Sequence, residues 1–114
     1  MTKVTVDIID ENRFQIRISG HSEHSKNGEP DIVCSACSAL AYTLQNAVRK
    51  MDANKLLSWE WDSDNDGSME LDFDVRSREP YIAKAEAIVQ TIVDGYRLLE
   101  EKYPDNVQVR VHIK

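Results

Sequence analysis

The chain is poor in cysteine, has no long apolar run and carries no excess of positive charge. Two cysteines among 114 residues argue against a disulfide framework, and in a small protein without an export signal they are typically catalytic, metal-binding or inert. No apolar run approaches the roughly 20 residues of a membrane span, and Met1 to Val4 show no signal-peptide pattern. We therefore expect a cytoplasmic protein that does not associate with a membrane.

The charge balance is acidic. The chain has 20 Asp and Glu against 14 Lys and Arg, a formal net charge of −6. This balance disfavours direct nucleic-acid binding, which depends on Lys and Arg contacts to phosphates, and it would suit a cationic protein as substrate. There are no repeats, low-complexity tracts or interdomain linkers, and the length is sufficient for one hydrophobic core. We predict a single domain over residues 1–114.

The spacing of apolar residues predicts five strands and two helices. Apolar and polar residues alternate near residues 4–8, 14–18, 57–61, 69–75 and 107–113, as in strands with one buried face. From Ile32 to about Met51, and from Ile82 to Tyr103, apolar residues recur at helical spacing. The order is ββαββαβ. We predict an α+β fold: a mostly antiparallel five-stranded sheet with two helices packed on one face.

The start of the first helix carries the strongest functional signal. Asp31 is expected as the N-cap and Ile32 as the first helical residue, which makes Cys34 the third. Unpaired backbone N–H groups and the helix dipole favour an anion at this position, and a helix N-terminus is one of the few environments that lower a thiol pKa. His21, where the second strand ends, would complete a Cys–His dyad. The pattern predicts an activated cysteine.

Two other interpretations of these residues stay open. Cys34 and Cys37 form a CxxC, the spacing of thiol–disulfide exchangers, although Cys37 also falls on the apolar stripe of the helix, which favours core packing. With His21 and His24 they also supply four soft ligands in two close pairs, enough for a tetrahedral zinc. A zinc site would silence the thiolate as a nucleophile and would indicate a small non-enzymatic zinc-binding or interaction protein.

The same stretch resembles the signature of the ribosomal-processing cysteine proteases. The likeness comprises Gly20-His21, Gly28-Glu29, Asp31-Ile32-Val33-Cys34-Ser35-Ala36 and Ser38-Ala39-Leu40, and a comparable element order extends it over essentially the whole chain. The resemblance implies a cysteine endopeptidase that needs no cofactor. Its substrate would be the precursor of a large-subunit ribosomal protein, the one numbered twenty-seven, which loses a short N-terminal extension during ribosome assembly.

The resemblance also implies roles for individual residues. His21 matches the general base and Cys34 the nucleophile, with Ser38 as a supporting residue one helical turn below. Gly20 and Gly28 match the ends, or hinges, of a mobile loop, and members of the family are typically homodimers. Position 37 departs from the family pattern, because the family usually has a small aliphatic residue where this chain has cysteine.

Overall fold

Five strands and two helices follow one another in the parts of the chain that the structure describes. The structure is a computed structural model, and it describes residues 1–10, 12–20, 31–52, 57–63, 68–75 and 80–114. For residues 52 and 57–63 it describes the backbone only. The elements are β1 (Thr2–Ile8), β2 (Arg13–Ser19), α1 (Ile32–Asp52), β3 (Leu57–Ser63), β4 (Met69–Val75), α2 (Tyr81–Lys102) and β5 (Val107–Ile113).

The strands form one mixed sheet in the order β3-β4-β2-β1-β5. The β1–β2, β2–β4 and β3–β4 pairs are antiparallel, whereas β5 lies parallel to β1. The prediction of a mostly antiparallel sheet is therefore wrong as a description of its topology, although the α+β class is confirmed. The strands β1 and β4 run in the same direction, because each is antiparallel to β2. Helix α2 then carries the chain back across the sheet, so β5 runs in that direction too and lies parallel to β1.

The core lies between the two helices and one face of this sheet. Alternate strand residues point into it, and their register aligns Val4 with Ile18 and Phe14 with Phe73. The rings of Phe14 and Phe73 stack with their centroids 5.1 Å apart. The helices cover this face with two buried stripes: Val33, Cys37, Ala41, Leu44 and Val48 on α1, and Ala85, Val89, Ile92, Val93 and Tyr96 on α2.

Two contacts hold the helices against each other near the start of α1. Gly95 lets them approach closely, since a Cβ there would lie 2.9 Å from Cδ2 of Leu40. The buried hydroxyl of Tyr96 donates a hydrogen bond of 2.8 Å to the carbonyl oxygen of Cys37. Because a buried hydroxyl needs such a partner, this bond ties the second turn of α1 to α2. Within the described ranges, no helix is long and apolar enough to cross a membrane.

Candidate active site

Cys34 is the third residue of α1, and the carboxylate of Asp31 caps the helix. Helix α1 begins at Ile32, which confirms the predicted start. The backbone N–H of Cys34 donates to Oδ1 of Asp31 at 2.9 Å, and the N–H of Ser35 donates to the Asp31 carbonyl oxygen at 3.0 Å. This arrangement is an N-cap. It occupies the Cys34 amide, so the amides left without an acceptor inside α1 are those of Ile32 and Val33.

A small cavity of about 90 Å³ opens beside Cys34. One wall is the first three turns of α1, and the floor is made by the adjacent ends of β1, β2 and β4. The lining residues are Thr2, Ile18, Gly20, Cys34, Cys37, Ser38, Ala41 and Met69. The structure therefore brings three residues of the predicted site together: Cys34, Ser38 and Gly20. Cys34 is partly exposed and carries a free thiol.

Gly20 is required by the backbone at the end of β2. Its φ is +82°, in the left-handed region that glycine adopts without steric cost. A Cβ at this position would collide with the carbonyl group of Met1 on the neighbouring strand end. Gly20 thus brings the chain past the start of β1 and along the cavity wall, immediately before His21.

The second cysteine is held neutral inside the core. Cys37 is 4% exposed, which confirms the prediction that it packs in the core. Burial raises the pKa of the Cys37 thiol to about 11, against the opposing effect of a hydrogen bond with the Thr2 side chain; charges on Cys34 and Asp31 raise this pKa further. At neutral pH this thiol is protonated, and a protonated thiol is a poor nucleophile and a poor metal ligand.

Sequence analysis missed the strand residues that complete the cavity. Thr2, Ile18 and Met69 come from three different strands, and their meeting depends on strand order. Thr2 alone gave a signal that could have found it: a polar residue in phase with the apolar positions Val4 and Val6. It is 2% exposed, and its contact with Cys37 explains why a hydroxyl is tolerated there.

The general base cannot be His112. That residue is exposed on β5 and lies opposite Asp7 in the register of the β1–β5 pair. The cavity lies at the other end of β1, at Thr2, and five residues of strand span roughly 17 Å. The remaining histidines of the chain, His21 and His24, lie outside the described residues, as does Gly28. Their predicted roles stay predictions.

The zinc hypothesis depends on the same two histidines. In the described part of the chain, no group of three His, Cys, Asp or Glu side chains is placed to hold a metal ion. His21 and His24 lie outside that part of the chain, so the four-ligand site stays a prediction. The burial of Cys37 in the core does not favour it.

These features define a class of protein. A partly exposed thiol at a helix N-terminus, next to a cavity and beyond a strand end, is the arrangement of an enzyme that uses cysteine as its nucleophile. The family model described as cysteine protease Prp matches residues 1–108, and the chain belongs to that family. It is a cysteine protease.

Individual relatives agree with this assignment. The chain is 29% identical over 110 residues to the ribosomal processing cysteine protease Prp of Staphylococcus aureus strain Mu50, covering 93% of this chain and 96% of the relative. A crystal structure of an essential ribosomal processing protease Prp from S. aureus, in complex with a covalently linked product peptide, superposes with a TM-score of 0.74 at 25% identity, over 97% of this chain and 99% of the other. The structure of SMU.848 from Streptococcus mutans shares the fold, with a TM-score of 0.70 at 24% identity over 100% of this chain and 96% of that one.

Proposed function

We propose that this protease removes the N-terminal extension of a large-subunit ribosomal protein, the one numbered twenty-seven, during ribosome assembly, and that Cys34 and His21 are its catalytic dyad. The observation that carries the proposal is the placement of the Cys34 thiol at the third position of α1, beside a cavity whose wall includes Gly20. Gly20 directly precedes His21 in the chain, and this adjacency in sequence supports the choice of His21 as the partner of Cys34. The naming of the S. aureus relative as a ribosomal processing protease supports the choice of substrate.

The first chemical step is attack by sulfur on a peptide carbonyl. His21 takes the Cys34 proton, and the resulting thiolate adds to the carbonyl carbon to give a tetrahedral oxyanion. The amides of Ile32 and Val33 have no acceptor inside α1, and at a helix N-terminus an oxyanion gains hydrogen bonds and the favourable end of the helix dipole. The Cys34 amide contributes only if Asp31 releases it, because the cap holds it in this structure.

The second step completes hydrolysis. His21 returns its proton to the leaving amine, the acyl group stays on sulfur as a thioester, and water then hydrolyses the thioester with His21 as general base. The cleaved protein keeps the new N-terminus, and the extension departs as a peptide with a free carboxylate. No cofactor takes part in either step.

Ser38 and Asp31 support the dyad from α1. Ser38 follows Cys34 by one helical turn and lines the same cavity, which supports a role for its hydroxyl in hydrogen bonding to the reacting groups or to substrate. Asp31 fixes the helix start by its two hydrogen bonds and so sets the direction of the Cys34 thiol. Gly20 and Gly28 would act as the hinges of the segment between them. We further propose that the protein works as a homodimer in the cytoplasm, where ribosomes assemble.

Two matched pairs of variants test the dyad. The substrate is a precursor protein carrying the extension, and cleavage is followed by mass spectrometry. Cys34→Ala is expected to abolish cleavage. Cys37→Ala makes the same change at the other cysteine, three residues further along the chain, and is expected to leave turnover close to that of the wild type. His21→Ala is expected to lower turnover by a factor on the order of 10²–10⁴, with His112→Ala as its control. Cleavage by Cys34→Ala at the wild-type rate, or equal effects of the two histidine variants, would refute the dyad.

A further inference from the structure

Both cysteines of the chain line the cavity beside α1. Cys34 is partly exposed there, while Cys37 is buried in the core. They differ in access to solvent but share one small space of about 90 Å³. A reactive species formed on the sulfur of Cys34 would therefore have a second thiol as its neighbour.

The helix places the two residues at a distance that a disulfide can span. Side chains three residues apart lie on the same side of a helix, with Cβ atoms roughly 5–6 Å apart, and a disulfide requires Cβ atoms about 3.5–4.5 Å apart. A rotation of both side chains and a small shift of the first helical turn close this gap. The first turn of a helix has the fewest hydrogen bonds to lose, because its amides have no acceptor in the helix.

We propose that Cys34 and Cys37 form a reversible oxidative modification site, in which a peroxide converts the active protease into an inactive intrahelical disulfide. The inference rests on the proposed function, since it takes Cys34 to be the reactive thiol. In the first reaction, the Cys34 thiolate attacks one peroxide oxygen, the O–O bond breaks, and sulfur becomes a sulfenic acid as the peroxide is reduced to hydroxide. In the second, the Cys37 sulfur attacks the Cys34 sulfur, the S–OH bond breaks, and the departing hydroxide takes the Cys37 proton as water.

The position of Cys37 next to Cys34 suits the second role, whereas its burial excludes it from the first. Burial keeps this thiol protonated at neutral pH, with its pKa near 11, so it does not compete for peroxide. The cavity nevertheless holds it next to Cys34, and proximity of this kind replaces a bimolecular encounter by an intramolecular step. Its hydrogen bond with Thr2 is then exchanged for a covalent bond to sulfur.

The modification has a protective consequence. Sulfenic acid that meets no thiol is oxidised further to sulfinic and sulfonic acids, which thiol reductants do not reverse. A disulfide stops this progression, and a strained one is easily reduced. Closing the bridge disturbs the Asp31 cap at the Cys34 amide, so we expect a strained disulfide that a dithiol reopens.

The experiment compares wild-type protein with Cys37→Ala under hydrogen peroxide at neutral pH. Intact mass and peptide mapping identify the products, and cleavage activity is measured before and after dithiothreitol. The wild type is expected to lose two hydrogens, to yield a cross-linked peptide containing both cysteines, and to regain most of its activity. Cys37→Ala is expected to gain two or three oxygens on Cys34 and to regain less than about a tenth of its activity.

Three results would overturn the proposal: sulfinic acid forming on Cys34 at the same rate in both proteins, equal recovery of activity in both, or a disulfide between two chains in place of the internal one. The mass measurements do not depend on catalysis. If the untreated wild type fails to cleave the precursor, the proposed function fails, while the products formed with peroxide still decide the modification site. Cys34→Ala serves as the control, because it removes the thiol that should react first.

Discussion

Replacing Gly20 by alanine tests how the end of β2 positions the site. The backbone at Gly20 has φ +82°, and holding an alanine in the left-handed region costs roughly 1–2 kcal/mol. The added Cβ also collides with the carbonyl group of Met1, and relieving such overlap costs on the order of 1 kcal/mol. Alanine also lowers the conformational entropy of the unfolded chain, which stabilises the folded state by about 0.4–1 kcal/mol. We therefore expect a net destabilisation of about 2 kcal/mol.

This free energy corresponds to a measurable shift in melting temperature. With about 2.1 cal/mol/K of unfolding entropy per residue, 114 residues give about 0.24 kcal/mol/K, so Tm should fall by about 8 °C. Because Gly20 lines the cavity with Cys34, kcat/KM should also fall roughly tenfold or more at temperatures where the variant is fully folded. Calorimetry and a peptide-cleavage assay provide the two measurements.

Gly95→Ala is the matched control. It adds the same methyl group inside α2, where alanine gains about 1 kcal/mol of helix propensity, and the Cβ meets Cδ2 of Leu40 at 2.9 Å. The end of a leucine side chain can rotate away, whereas the backbone carbonyl of Met1, directly before β1, has no such freedom. We expect Gly95→Ala to stay within about 4 °C of the wild-type Tm. If Gly20→Ala melts as high as Gly95→Ala and cleaves as fast as the wild type, the explanation of Gly20 is wrong.

Two further predictions concern α1. Asp31→Ala removes the hydrogen bond of 2.9 Å to the Cys34 amide, which should cost about 1 kcal/mol and lower Tm by about 4 °C; Asp31→Asn keeps the cap, so equal melting of the two variants would contradict the capping role. Burial raises the pKa of Cys37 from its ordinary value of 9.0 to about 11, so the folded state binds this proton more tightly than the unfolded state. The contribution of this proton to the free energy of unfolding is therefore complete below pH 9 and is lost as pH rises toward 11. Urea unfolding across this pH range should show a steeper loss of stability for the wild type than for Cys37→Ala, and parallel curves would show that the thiol does not titrate as described.

Several local features were predictable from sequence because they depend on neighbouring residues. The helix start at Ile32 and the Asp31 cap followed from residue type and order, and both are confirmed. The core position of Cys37 followed from helical spacing and is confirmed by its burial. The family signature around Cys34 is equally local. In each case, the residues that determine the feature lie a few positions apart in the chain, within about one or two turns of the same helix.

The direction of β5 was not predictable in this way. Alternation of apolar and polar residues shows that a strand has one buried face, and that pattern is the same for parallel and antiparallel neighbours. The pairing of β5 with β1 depends on how α2 crosses the sheet. Packing of the whole helix against the core decides this crossing.

The sequence by itself determined that a thiol stands at the start of a helix and that a second thiol lies on its buried stripe. Only the tertiary structure decided what surrounds them: Thr2, Ile18 and Met69 reach the cavity from three strands, and Tyr96 reaches the Cys37 carbonyl from α2. These contacts join residues far apart in the chain, and they form because burying apolar surface brings strands and helices together irrespective of sequence separation. A local pattern contains no information about such partners.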